Sequence, residues 1–175
     1  MTFRDTQAPI RSIWAAIGAG LALLLAGALS IISVNLFGQN ASFAFLPLIV
    51  IAIWPRRASE IASVIAVFAA GIFTDWATGG VVGQWALVFI LAWMVFRPEL
   101  RDQPYAFFQT LIIWVMICGL AIVLLSASGW FIYKVAPDYL ALGRQVLLAT
   151  AVLPFILLLR RWLAYFTGDA DEWGR

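Results

Sequence analysis

The stretch from Gly71 to Leu87, GIFTDWATGGVVGQWAL, sets one acidic residue, Asp75, between two apolar runs and follows it with Gly79, Gly80 and Gly83. A charged side chain at the middle of a bilayer costs from roughly 2.5 kcal/mol upward. The reading of this stretch therefore turns on what surrounds it. Of the 175 residues, 64% are hydrophobic and only 11% are charged, against about 25% charged in a typical soluble domain. With a mean hydropathy of +0.97, the chain is expected to be a single transmembrane domain over residues 1–175, its surface facing lipid.

The composition also narrows the chemistry. There is no histidine and one cysteine, Cys118, in an apolar run. No intramolecular disulfide and none of the usual zinc constellations can be built, so neither cofactor nor metal is expected. The net charge of +2 offers no basic face for nucleic acid. The first apolar run, Ile13 to Phe37, follows a short basic segment as a secretory signal would, yet about 25 residues and no convincing cleavage site read as a retained first span.

Crossing a hydrocarbon core of about 30 Å takes roughly 20 helical residues, and backbone groups in lipid must be satisfied within the chain. Breaks at Gly38–Asn40, Pro55–Arg57, Asp75–Gly80, Arg97–Pro104 and Lys134–Asp138 divide the sequence into spans 13–37, 42–54, 58–75, 81–96, 105–133 and 139–163. The expected fold is thus all-α, a six-transmembrane-helix bundle. Its weak member is the second span, which is short and contains Pro47. The positive-inside rule favours six crossings with both termini cytoplasmic, since these place Arg4, Arg11, Arg56, Arg57, Arg97, Arg101, Arg160, Arg161 and Arg175 inside. Only Lys134 and Arg144 then lie outside. Interfacial aromatics fit this topology, with Trp14, Trp54, Tyr105, Trp162 and Tyr165 at inner ends and Trp76, Trp130, Tyr133 and Tyr139 at outer ends.

Two groups of residues invite a functional reading. Ala62, Ala66, Ala70 and Thr74 recur every fourth residue and form a small-residue ribbon, either for packing inside the bundle or as a docking face for another protein's helix. Ala16, Gly20, Gly27 and Ser30 offer a looser ribbon on the first span. Asp75, expected at the outer interface where water reaches it, would accept hydrogen bonds from the following turn as a cap does. Gly79, Gly80 and Gly83 would permit tight backbone paths there. Alternatively Asn35, Asp75, Gln84 and Ser128 would line a pocket open to the outside. Glu60, three residues after Arg57, has the spacing of a helical ion pair. Serine protease chemistry is not expected at Ser126 or Ser128, because the chain has no histidine base. A pair of convergent carboxylates is equally missing from the apolar runs, where Asp75 stands alone. No catalytic residues are therefore assigned.

Gly71, Asp75, Gly79, Gly83, Ala86 and Leu87 form the pattern G-x3-D-x3-G-x3-G-x2-A-L. Its layout resembles the rod shape-determining protein MreD family. Pro47 followed by Pro55 to Arg57, and LPFILLLRR from Leu153 to Arg161, also fit that family's pattern, while Val82 stands where leucine is more usual. The likeness covers residues 42 to 163. It implies a non-catalytic component of the bacterial elongation (Rod) complex in the inner membrane, required for rod shape and lateral peptidoglycan synthesis. Implied partners are membrane lipid, MreC and, through it, MreB filaments, the RodA glycosyltransferase and a penicillin-binding transpeptidase, with homo-oligomers also allowed. The family's bundle is similar to the substrate-binding subunits of energy-coupling-factor transporters, which supplies the alternative expectation of a vitamin-type substrate-capture subunit.

Overall fold

In the computed structural model the described residues are 7–36, 39–55, 58–96, 107–134 and 138–167, without the side chains of 7–12, 160–167, Val34, Leu36, Gln39, Ala41, Phe107 and Tyr133. Six α-helices dominate: α1 (Gln7–Leu29), α2 (Leu46–Ala52), α3 (Glu60–Thr78), α4 (Gln84–Val95), α5 (Phe107–Ser128) and α6 (Tyr139–Thr167). A π-helical turn, Gly129–Tyr133, extends α5. Among the described residues, three stretches are long and apolar enough to cross a membrane: Glu60–Thr78, Phe108–Ile132 and Tyr139–Leu159. Ile13–Leu29 and Gln84–Val95 are shorter apolar helices.

The largest departure from expectation lies between α1 and α3. The first span was expected to run as helix to Phe37, but α1 stops at Leu29, and β1 (Ser33–Leu36) and β2 (Gln39–Ser42) pair antiparallel. Ile31, Ile32 and Val34 are β-branched residues, poorly suited to a helix and well suited to extended backbone. The second span, expected over 42–54, is helical for only the seven residues of α2. Six of these, all except Val50, are buried. The described residues are mostly helical, consistent with an all-α fold, with one small hairpin added, and α2 is a core element.

The core is organised around α2, which packs on α1, α4, α5 and α6. Phe45, Leu48 and Ile49 are fully buried there. Trp54 was expected as an interfacial anchor, but it is buried, and its indole nitrogen donates to Ser63 Oγ at 3.0 Å. An indole N–H in an apolar core needs such a partner. Trp14, Trp76, Trp130 and Tyr139 are exposed, as interfacial aromatics should be.

The small-residue ribbons meet each other. A Cβ placed on Gly20 would stand 2.9 Å from Ala66 Cβ, and one on Gly27 would stand 2.7 Å from Thr74 Oγ1. Ala70 and Thr74 are buried and Ala62 and Ala66 half-buried. The docking-face reading of Ala62, Ala66, Ala70 and Thr74 is therefore corrected, because α1 occupies that face. Close approach of backbones maximises dispersion contacts, the main source of helix association where lipid is as apolar as the side chains. Since Gly20 lies opposite Ala66 and Gly27 opposite Thr74, the numbers rise together and α1 runs parallel to α3.

The candidate site at the turn from α3 to α4

Each member of the glycine–aspartate pattern except Leu87 has an identifiable task. Gly71 lets the two helices touch: a Cβ there would lie 2.7 Å from the Ala86 amide nitrogen and closer still to Ala86 Cα. No neighbouring side chain can yield to relieve that contact, since the obstacle is backbone. Gly79 ends α3 in the left-handed region, with φ 67°. The Gly80 amide donates to Asp75 O at 3.1 Å and the Gly79 amide to Trp76 O at 3.4 Å, the two bonds of a Schellman closure. Gly83 precedes α4 with φ 100°, again a region that side chains avoid.

Asp75 joins the two helices. Its Oδ2 accepts from the Gly83 amide at 2.8 Å and its Oδ1 from the Trp85 amide at 2.7 Å. The carboxylate thus caps α4 from another helix, satisfying two amides that the start of a helix leaves without intrahelical partners. Hydrogen bonds to a carboxylate are about twice as strong as neutral ones, and the helix N-terminus favours negative charge. The capping role expected from sequence is present, reaching two residues into α4. The expected exposure to water is corrected: Asp75 lies inside α3 rather than closing it, and it is fully buried.

Of the residues proposed as a pocket, Gln84 and Ser128 are together, with Gln84 Nε2 donating to Ser128 Oγ and so tying α4 to α5. Ser128 in turn donates to Leu125 O at 2.9 Å. Asp75 belongs to the same helix start, but its two oxygens are taken by backbone amides. Asn35 is exposed on β1, opposite Asn40 in the hairpin. The four residues therefore divide into a buried cap, an interhelical pair and a separate exposed amide. The proposed Arg57–Glu60 pair and the arginines at 4, 56, 57, 97, 101 and 175 lie outside the described residues, as do the side chains of Arg11, Arg160 and Arg161.

Polar side chains deeper in the bundle carried no signal in the sequence. Trp114 Nε1 donates to Thr150 Oγ1 at 2.9 Å, joining α5 to α6, while Thr150 Oγ1 donates to Val146 O at 2.7 Å. Only an unpaired-looking indole in an apolar run hints at such a partner, and the chain has nine tryptophans. At the start of α6, Asp138 Oδ1 accepts from the Leu140 and Ala141 amides at 3.0 and 3.1 Å, an ordinary N-cap. Among the described residues no group of three His, Cys, Asp or Glu side chains is placed to hold a metal ion. Searches against family models, curated proteins and solved structures found no match for this chain.

Proposed function

We propose that this chain is a non-catalytic membrane scaffold of the bacterial elongation machinery, acting through helix contacts with MreC and, through it, with MreB, RodA and a penicillin-binding transpeptidase. The supporting observation is the use made of the pattern that resembles the MreD family. Gly71, Asp75, Gly79, Gly83 and Ala86 are all committed to fastening α3 to α4. A carboxylate whose two oxygens accept backbone amides does structural work. The substrate-capture alternative loses its central acid for the same reason.

The proposal includes an inner-membrane location and six crossings with both termini cytoplasmic, supported by the arginine bias. Because α1 covers the small-residue ribbon, partner helices must meet another face. The outward side of α3, where Ile61, Ile65 and Phe68 are exposed, is available. Depleting the protein from a rod-shaped host tests the function, with rounded cells expected. Unchanged rods under complete depletion would overturn it. Cysteines at Ile65 and Phe68 are expected to crosslink to the MreC transmembrane helix, whereas one at Ala66 is not.

A further inference from the structure

We propose that residues Ser42–Trp54 cross the bilayer as a protein-lined plug, with α2 held away from lipid by α1, α4, α5 and α6. The proposal rests on the six-crossing topology and deepens it, because a hydrophobic run this short does not by itself say whether it crosses or what it faces.

Direction comes first. Since α1 and α3 are parallel, with Gly20 beside Ala66 and Gly27 beside Thr74, the chain must return to its starting level between them. The register Ser33 with Ser42 shows that the hairpin comes back to where it left, just beyond the end of α1. At the other extreme, Trp54 is bonded to Ser63 in the first turn of α3. The whole return is therefore made between Ser42 and Trp54.

Length is the next test. By the pairing of α1 with α3, the end of α1 lies level with the last turn of α3. Descending from there to Ser63 covers about 20 Å at 1.5 Å per helical residue. The twelve steps from Ser42 to Trp54 would give about 18 Å as continuous α-helix. Tighter 3₁₀-type turns at both ends make up the rest, rising about 2 Å per residue. These turns are present: the Leu46 amide donates to Phe43 O at 2.9 Å, Leu48 to Phe45 O at 3.2 Å and Trp54 to Ile51 O at 3.3 Å. They also supply partners for backbone groups that lipid would leave unsatisfied.

The surroundings complete the argument. Phe45, Leu48, Ile49, Ile51, Ala52 and Trp54 are at most 1% exposed. Non-helical backbone at membrane depth is tolerated where protein encloses it; at the two non-helical ends Phe45 and Trp54 are buried, while Ser42, Phe43, Ala44 and Ile53 are half-buried. Its placement then depends on the helices around it, α1 before it and α4, α5 and α6 after it, rather than on its own hydropathy.

The test uses the full-length chain in membranes with Cys118 replaced (Cys118→Ala). Asn40→Cys and Glu60→Cys, both at exposed positions, are treated with a membrane-impermeant maleimide from each side in turn. Labelling from opposite sides is expected. A bimane at Val50→Cys, a substitution of similar volume at the half-buried position of α2, is then compared with bimane at Leu21→Cys and Ile65→Cys, which are exposed. Quenching by spin-labelled lipid is expected to be several-fold weaker at Val50. Labelling of Asn40 and Glu60 from the same side would overturn this proposal and the six-crossing topology together. Opposite labelling with equal quenching at the three positions would overturn the plug alone and leave the topology standing.

Discussion

Asp75 shows how one buried acid becomes acceptable in an apolar protein: both its oxygens are answered by amides that would otherwise be orphans. Asparagine keeps one acceptor oxygen but turns an NH2 group toward the other amide, so one N–H loses its partner. Leaving a buried donor unsatisfied costs about 1–3 kcal/mol. Asp75→Asn should therefore lower thermal stability in detergent by an amount of that order, and Asp75→Leu by more because both amides are orphaned. Equal melting temperatures for the wild type and Asp75→Leu would remove the cap argument. Gly71 offers a second test at this scale. Gly71→Ala must push α3 from α4 and should destabilise by about 1–3 kcal/mol, as overpacking does. Gly119→Ala is the control, since an added Cβ there meets nothing within 4 Å. It should be neutral, or stabilising by up to about 1 kcal/mol from helix propensity.

At the scale of elements, the fold is a set of pairwise fits: α1 on α3 through small residues, α3 on α4 through Gly71 and Ala86, and α4 on α5 through Gln84 and Ser128. The α1–α3 fit predicts that Gly20→Ala, whose Cβ would stand 2.9 Å from Ala66 Cβ, lowers thermal stability by about 1–3 kcal/mol, and that adding Ala66→Gly recovers part of the loss. An unchanged melting temperature in Gly20→Leu would refute the internal packing. The start of α6 is set by one side chain, Asp138. Asp138→Ala should cost about 1 kcal/mol, the usual worth of an N-cap. Hydrogen exchange should quicken at the Leu140 and Ala141 amides but not in α3.

For the whole molecule, length is the governing quantity. The 19 residues of α3 rise about 28 Å, close to the hydrocarbon thickness of an ordinary bilayer. Exposed Trp76 and Trp130 lie toward the end that carries Gly83, and exposed Trp14 toward the opposite one. Thermal stability in vesicles of graded acyl length should accordingly peak near a 28 Å core. It should fall on either side by fractions of a kcal/mol per Å of mismatch. A curve that rises steadily with thickness would mean that α3 does not set the matched depth.

The apolar character, most of the helices and the turn from α3 to α4 are legible in the chain of residues alone. Its glycines and its aspartate lie within sixteen residues of one another, Gly71 to Ala86, so their pattern carries the geometry. Tertiary structure alone decided that Asp75 is sealed from water, that α1 fills the ribbon of α3, and that Trp54 and α2 are core. The physical reason is that lipid and a protein interior are equally apolar. Hydropathy therefore cannot say whether Leu48 or Trp54 faces one or the other, and only the packing of α1, α4, α5 and α6 on α2 separates the two.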